Sequence, residues 1–275
     1  MKARVASGDA AAQMLYGRSE QAETMREQVR RLAALEGPVL IEGAPGAGIE
    51  KVAEVIHLLS SRAERAFLRV GAAALSPEQL AAQVDACGGG TVFMDQVTSL
   101  PPETQFALLG LLDSEPKARI LVGTFSASAD FKTFNADLHY RLDALKVRIP
   151  ALKERPEDIP VLFRQYVRQA SEQTGVKAPP ITQEVIADLM AEDWPGNARA
   201  LMNAATRFVL GLGADDVAED LGLSEKLAQV ERALLIDGLK RNGGNASLTA
   251  EQFKIPRKTL YDKFAKHGIQ PKSYR

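Results

Sequence analysis

The feature that most constrains the fold is a short apolar strand pattern followed by a glycine-rich turn and an amphipathic helix pattern. This segment, residues 37–57, reads GPVLIEGAPGAGIEKVAEVIH. Glycines in such a turn free backbone N–H groups at a helix N-terminus, an arrangement that cradles phosphate groups. The turn therefore predicts an α/β fold and has two interpretations: a phosphate loop that still binds nucleotide, or a turn kept only for packing a strand against a helix.

Apolar runs and helical patterns alternate through the first half of the chain, which predicts a parallel sheet covered by helices. The predicted strands are Val39–Glu42, Thr91–Asp95, Ile120–Thr124 and Leu145–Ile149, and the clearest helix patterns are Glu50–Ser60 and Glu103–Leu112. After Pro150 only helical patterns follow: one opens near Arg155, one is capped by Thr182 and one follows the turn at Trp194. We therefore predict an α/β domain over residues 1–150 and a helical lid subdomain over 151–212.

The last part of the chain predicts a separate all-α domain over residues 224–275, after a linker over 213–223. A helix over Ser224–Arg241 places Leu227, Val230, Leu234 and Leu235 on one face, and two short helices follow at Ala246–Phe253 and Pro256–Lys266. Residues 254–275 carry seven Lys or Arg against one acidic residue, a net charge of +6 that leaves −7 on the rest of the chain. A basic C-terminal segment after an otherwise acidic chain indicates either a polyanion partner or a solvated tail.

Composition narrows the class of protein. The chain has 275 residues, 45% of them hydrophobic, and its single cysteine, Cys87, excludes an intramolecular disulfide. Its longest stretch without a charge, residues 120–129, is too short to span a bilayer, and its start lacks the apolar core of a secretory signal. We expect a cytoplasmic protein without a membrane contact or a metal site, in which Cys87 is a small buried hydrophobe and Trp194 is a core anchor.

Six motifs then occur in an order that is characteristic of one protein family. The glycine-rich segment is followed by GGTVFMDQ with SLPPETQFALLGLL, DLHYRL, PALKERPEDIP, WPGNARAL and finally GGNASLTAEQFKIPRKTLYDKFAKHGI. From Tyr16 to Arg275 the chain resembles the bacterial enhancer-binding proteins, the activators of sigma-54 RNA polymerase. The resemblance implies an AAA+ domain with a helical lid, a Fis-type helix-turn-helix, and an ATP-driven ring that remodels the polymerase.

Several residues depart from the pattern that this family uses for ATP hydrolysis. Gly43, Gly46 and Gly48 keep the loop, but Ile49 replaces the lysine that neutralises the phosphates, and Lys51 follows about 200° further round the helix. Asp95 keeps the magnesium carboxylate, whereas the next acid, the sensor asparagine and the first intersubunit arginine correspond to Gln96, Phe125 and Asn135. The family's second intersubunit arginine and its lid arginine correspond to Arg141 and Arg199. We predict negligible ATP hydrolysis and no required cofactor, with residual binding of ATP and magnesium as the alternative.

The family's sigma-54 contact loop is also missing. Its members carry an insertion that ends in GAFTGA between the phosphate loop and the magnesium carboxylate. In this chain, Arg69 to Leu75 runs almost directly into the helical pattern at residues 79–90. Direct activation of the sigma-54 polymerase is therefore disfavoured.

The helix-turn-helix, by contrast, keeps the pattern that DNA binding needs. Leu260 and Phe264 form an inner face, and the remaining face of the last helix is basic and polar. By position in the family, Arg257, Lys258 and Thr259 are the predicted base readers, Lys263 and Lys266 are predicted phosphate contacts, and Tyr261 lies on the same helix. Lys254 replaces the usual turn glycine, and its left-handed conformation costs about 1 kcal/mol. The alternative is a set of helices that only dimerise.

Three hypotheses of function follow. The first is a sequence-specific DNA-binding transcriptional regulator that hydrolyses no ATP, acts on RNA polymerase by occupying sites and is a homodimer through the helix at residues 224–241. The second is a modulator that enters mixed rings with an intact enhancer-binding protein and offers Arg141 to a neighbour's nucleotide. The third is a sigma-54 activator ATPase with unusual motifs.

Overall fold

The computed structural model describes residues 10–125, 134–212, 231, 234–236, 238–239, 241–267, 269 and 271. By its internal contacts the chain divides into two units, Met1–Leu162 with Trp194–Leu201, and Phe163–Asp193 with Met202–Arg275. Among the described residues, no helix combines the length and the apolar character that crossing a membrane requires.

A five-stranded parallel sheet forms the centre of the first unit. Its strands are β1 (Val39–Gly43), β2 (Phe67–Gly71), β3 (Thr91–Asp95), β4 (Arg119–Phe125) and β5 (Lys146–Ile149), in the order β2-β3-β4-β1-β5. The α/β prediction is confirmed, and four strands lie within one residue of their predicted bounds. Strand β2 was not predicted, because it is a half-exposed edge strand without the continuous apolar run of a buried parallel strand.

Helices cover both faces of this sheet. They are α1 (Ala10–Met14), α2 (Glu20–Ala33), α3 (Ile49–Leu59), α4 (Pro77–Cys87), α5 (Pro102–Asp113) and α6 (Ala136–Asp143). Successive strand residues point to opposite faces, so Leu40 joins the core formed with α4, α5 and α6, and Ile41 joins the core formed with α2 and α3. Cys87 is buried as predicted.

Helical structure follows the last strand. Short 3-10 turns at residues 152–154 and 156–158 lead into α7 (Ile159–Thr174), followed by α8 (Gln183–Ala191) and α9 (Asn197–Val209). The hydroxyl of Thr182 caps α8 as predicted, by accepting a hydrogen bond from the amide of Val185. Trp194 is buried, which confirms its role as a core anchor.

The C-terminal helices share a small core of their own. Residues 231, 234–236, 238–239 and 241 are helical, α10 spans Ala246–Gln252 and α11 spans Arg257–Lys266. Leu235 is buried in the core that Leu260 and Phe264 share, whereas Leu234 is exposed, so the predicted dimer stripe is partly used within the chain. The predicted linker at 213–223 and the stripe residues Leu227 and Val230 lie outside the described residues.

Candidate functional site

The glycine-rich turn joins β1 to α3 and has the shape of a phosphate loop. Gly46 and Gly48 both adopt left-handed backbone conformations, with φ of 75° and 100°. Gly48 is the N-cap of α3 and supplies no side-chain cap. A Cβ atom on Gly46 would lie 2.2 Å from the carbonyl oxygen of Gly196, so only glycine fits there. The turn therefore keeps its glycines for conformation and for close backbone packing.

The turn at residues 194–199 holds this loop from the side. The amide of Arg199 donates to the carbonyl oxygen of Gly46 at 3.1 Å, and the side-chain amide of Asn197 donates to that of Pro45 at 3.0 Å. The Oδ1 atom of Asn197 accepts a hydrogen bond from the amide of Leu152 at 2.8 Å. The Arg199 residue itself is exposed. Contacts within the protein therefore support the loop's shape.

Ile49, at the lysine position, is a packing residue. It is only 7% exposed and belongs to the core under α2 and α3. Its side chain fills the space beside two glycines: a Cβ on Gly43 would lie 3.2 Å from the Ile49 Cγ1 atom, and one on Gly123 would lie 2.6 Å from Cγ2. The ammonium of Lys51 contacts Glu54 at 2.8 Å on the surface of the same helix. A cation is thus missing from the place where a phosphate loop needs one.

Asp95 lies at the end of β3 and is engaged by an arginine. The Arg69 guanidinium on β2 donates to Asp95 Oδ2 at 2.9 Å and to Glu50 Oε2 at 2.5 Å. The next residue, Gln96, has a left-handed backbone with φ of 58° and begins the 3-10 turn at residues 97–99. The carboxylate pair at this site is therefore bound by a side chain that the sequence analysis did not identify.

At two further positions where this chain departs from the family pattern, the side chains have structural roles. Phe125 ends β4 and packs against the core under α2 and α3. Asn135 is the N-cap of α6, where its Oδ1 atom accepts a hydrogen bond from the amide of Leu138 at 2.9 Å. Both positions, which the family resemblance assigns to nucleotide hydrolysis, are occupied by side chains that stabilise the fold. Arg141 is half exposed on α6, with its Nε atom 3.9 Å from Asp113.

These side chains differ from those that the family resemblance assigns to binding ATP with a magnesium ion. The phosphates would meet an apolar Ile49 in place of a cation, and the carboxylate of Asp95 already binds Arg69. Among the described residues, no group of three or more His, Cys, Asp or Glu side chains could hold a metal ion. The site combines the backbone shape of a phosphate loop with side chains of a different chemistry.

The C-terminal helices form a second candidate site. Leu260 and Phe264 are buried on the inner face of α11, which confirms the predicted inner face. On its outer face Arg257, Lys258 and Thr259 are exposed at the N-terminal end, and Tyr261 is 48% exposed. The side chain of Asn245 caps α10 by accepting hydrogen bonds from the amides of Ser247 and Leu248. This arrangement presents a basic, polar helix end to solvent.

Lys254, in the turn between α10 and α11, has φ of 54°, so the expected left-handed conformation is confirmed. Replacing Lys254 with glycine is expected to stabilise the C-terminal helices by about 0.5–1 kcal/mol, because glycine adopts this conformation without the Cβ penalty. Hydrogen exchange of amides in α10 and α11 measures the change. Lys254→Ala removes the same charge but keeps Cβ; an equal gain in both variants would contradict the explanation.

Glu231 binds the basic side chains at the far end of α11. Its carboxylate contacts the ammonium of Lys263, the Nε2 atom of His267 at 2.8 Å and the ammonium of Lys266 at 3.5 Å. The hydrogen bonds from Lys263 and His267 lower the pKa of Glu231 to about 2. The two predicted phosphate contacts, Lys263 and Lys266, are therefore paired within the chain, and the sequence analysis did not identify Glu231.

Glu231→Gln is expected to strengthen DNA binding roughly three- to tenfold and to steepen its salt dependence by about one ion, because Lys263 and Lys266 lose a competing carboxylate. The lowered pKa means that the native carboxylate stabilises the fold at neutral pH, and that this contribution is lost as the pH falls from about 4.5 towards 2. Titrations of DNA with the chain at several salt concentrations measure the change in affinity and in its salt dependence. Glu251→Gln, which removes an exposed charge on α10, is the control; equal gains would show that the pairing is irrelevant.

Comparison with known proteins adds three family matches in chain order. The Sigma-54 interaction domain matches residues 16–152, the AAA+ ATPase lid domain matches 153–232, and the Bacterial regulatory protein, Fis family, matches 226–267. The lid match extends beyond residue 212, where the predicted lid ends, and overlaps the Fis-family match over residues 226–232.

Individual relatives cover nearly the whole chain. The C4-dicarboxylate transport transcriptional regulatory protein DctD of Pseudomonas aeruginosa is 36% identical over 93% of this chain, which spans 64% of that protein's length. The pathogenicity locus probable regulatory protein HrpS of Pseudomonas syringae pv. syringae is 31% identical over 84% of this chain and 89% of its own. The crystal structure of NtrX from Brucella abortus in complex with ATP matches with a TM-score of 0.72 and 30% sequence identity. The match covers 93% of this chain and 70% of the NtrX chain. The chain belongs to the bacterial enhancer-binding protein family, the sigma-54-dependent type that combines an AAA+ domain with a Fis-type helix-turn-helix.

Proposed function

We propose that this chain is a sequence-specific DNA-binding transcriptional regulator that hydrolyses no ATP and does not itself remodel sigma-54 RNA polymerase. The observation that carries the proposal is the surface of α11, where Arg257, Lys258 and Thr259 are exposed while Leu260 and Phe264 hold the helix against its core. A helix held in this way can enter the major groove with its N-terminal residues against base edges. Double-stranded DNA is the proposed partner.

The proposed loss of hydrolysis rests on the first unit. Phosphoryl transfer depends on positioned charges around the phosphates and on a group that orients the attacking water. The side chain of Ile49 offers neither charge nor hydrogen bond, and the amide of Gln96 cannot take a proton from water. Phe125 and Asn135 serve packing and helix capping. No ATP or magnesium is required in this proposal.

The proposed absence of direct remodelling rests on the segment between β2 and β3. Every residue there is described, and it contains residues 72–76, the single helix α4 and a short return to β3. A long loop that reaches a sigma factor does not fit into this connection. The regulator would act on RNA polymerase by occupying DNA, in the cytoplasm and as a homodimer.

Genome-wide occupancy of the tagged full chain tests the proposal. We expect discrete peaks that disappear in Arg257→Ala/Lys258→Ala and persist in Arg31→Ala/Lys153→Ala, which removes the same charge from exposed positions of the first unit. Peaks that survive in the first double variant, or a wild type without peaks, would refute sequence-specific binding through α11.

A second candidate is a modulator of an intact enhancer-binding protein, favoured by the half-exposed guanidinium of Arg141. In that case Arg141→Ala would abolish an effect of this chain on the partner's ATP hydrolysis and leave DNA occupancy unchanged. If the partner's hydrolysis does not respond to the wild-type chain, the modulator function is excluded.

A further inference from the structure

Arg69 joins three elements of the first unit. From the edge strand β2 its guanidinium reaches Glu50, in the first turn of α3, at 2.5 Å, and Asp95, at the end of β3, at 2.9 Å. We propose that Arg69 is a built-in cation that takes the place of a divalent metal ion between these two carboxylates, so that the site holds its shape without metal and excludes it. The proposal concerns the site at which hydrolysis is proposed to be lost, but it makes a separate claim about metal binding.

The two carboxylates share one cation. Glu50 and Asp95 come from different elements, and like charges that share a site repel each other. Nη1 of the guanidinium donates to Glu50 and Nη2 donates to Asp95, so each carboxylate accepts one charge-assisted hydrogen bond from the same arginine. A single positive group therefore bridges both acids from one side and offsets part of their combined charge, in the position that a divalent ion takes between two carboxylates.

The charge of Arg69 is secured by its partners. Partial burial disfavours the charged guanidinium, but the hydrogen bond to Asp95 and the attraction of Glu50 and Asp95 outweigh it and raise the pKa of Arg69 above its ordinary value. The group therefore stays charged across the whole working pH range. Unlike a bound metal ion, this cation cannot dissociate.

The contact differs from an ordinary surface ion pair. Lys51 and Glu54 lie three residues apart on one turn of α3, so their pair adds nothing that connects separate elements. Arg69 lies 19 residues from Glu50 and 26 from Asp95 in the sequence, and it links β2, α3 and β3. Asp95 is 28% exposed and Arg69 is 49% exposed, so solvent and added ions reach the site. Removal of Arg69 would leave two acids facing an accessible gap.

Manganese binding, measured by electron paramagnetic resonance on the full chain without nucleotide, tests the proposal. Arg69→Ala is expected to bind Mn²⁺ at least about tenfold more tightly than wild type, because both carboxylates become available to a hard cation. Lys51→Ala, which removes a cation from a single carboxylate of the same helix, is expected to match wild type. Arg69→Ala/Asp95→Asn is expected to lose the gain.

Thermal unfolding gives a second readout. Arg69→Ala is expected to lower the Tm by about 2–4 °C, and millimolar Mg²⁺ is expected to restore it while leaving wild type unchanged. Arg69→Gln, which retains hydrogen-bonding capacity without charge, replaces the alanine variant if that one fails to fold. Equal Mn²⁺ affinity in wild type and the Arg69 variants would overturn the proposal. Since neither assay measures hydrolysis, the proposed function and this proposal can fail separately.

Discussion

Replacing Arg257 and Lys258 together with alanine is expected to weaken binding to a specific DNA site by about 10²- to 10⁴-fold. Each side chain is exposed at the N-terminal end of α11, and loss of a base-reading contact costs about 1–3 kcal/mol. The core of the domain should be unaffected, since Leu260 and Phe264 hold the helix from the opposite face. Fluorescence anisotropy, with a fragment recovered from an occupancy peak, measures the affinity.

A matched comparison separates base reading from general charge. Arg31→Ala/Lys153→Ala removes two positive charges from the first unit and is expected to change the same affinity less than about threefold. Binding to a scrambled fragment should fall much less than specific binding in the α11 variant, because phosphate contacts are independent of sequence. An equal loss on both fragments would mean that Arg257 and Lys258 contact only phosphates.

The second large effect concerns the phosphate loop. Ile49→Lys, which restores the residue type that the family uses, is expected to lower the free energy of unfolding by about 3–5 kcal/mol and to restore no ATP hydrolysis. Ile49 is 7% exposed, and its side chain occupies the space beside Gly43 and Gly123, so a lysine would bury an unpaired ammonium or distort the loop. Urea unfolding of the full chain measures the loss.

Ile49→Val is the control, because it keeps the apolar contact and removes one methylene group; its cost is expected to be about 0.5–1.5 kcal/mol. If Ile49→Lys were as stable as wild type and gained tight ATP binding, the site would have room for the cation after all. In that case the loss of ATP binding would depend on that single side chain.

Much of the fold could be predicted because its signals are local. The apolar runs of β1 and β3 and the capping Thr182 depend on neighbouring residues, and the predictions agree with the structure there. Strand β2 was missed because it contains Arg69 and lies at the edge of the sheet, where burial does not impose an apolar pattern.

The candidate site was only partly predictable because its decisive contacts join distant residues. Asn197 reaches Pro45 across 152 positions, and only the fold brings them together. Arg69 could have been noticed once β2 was placed beside β3, since Gly71 pairs with Asp95 in that register. Glu231 precedes Lys263 by 32 positions, on a helix whose pattern indicated only an apolar face.

Residues with a left-handed backbone conformation show the same difference between local signals and contacts that depend on the fold. Lys254 was predicted to adopt such a conformation because it occupies the position of a turn glycine, and its φ of 54° agrees. Gln96 and Asn197 adopt similar conformations, which the sequence did not predict. At Asn197 the hydrogen bonds to Pro45 and Leu152 compensate the cost of the conformation.

The most direct test of the account is phosphate release by the purified full chain, bound to a specific DNA fragment, with ATP and magnesium present. We expect a rate equal to that of the buffer, unchanged in Asp95→Asn and at any chain concentration that keeps the DNA bound. Magnesium-dependent release that disappears in Asp95→Asn would contradict it, and the chain would then be an ATP-hydrolysing member of its family.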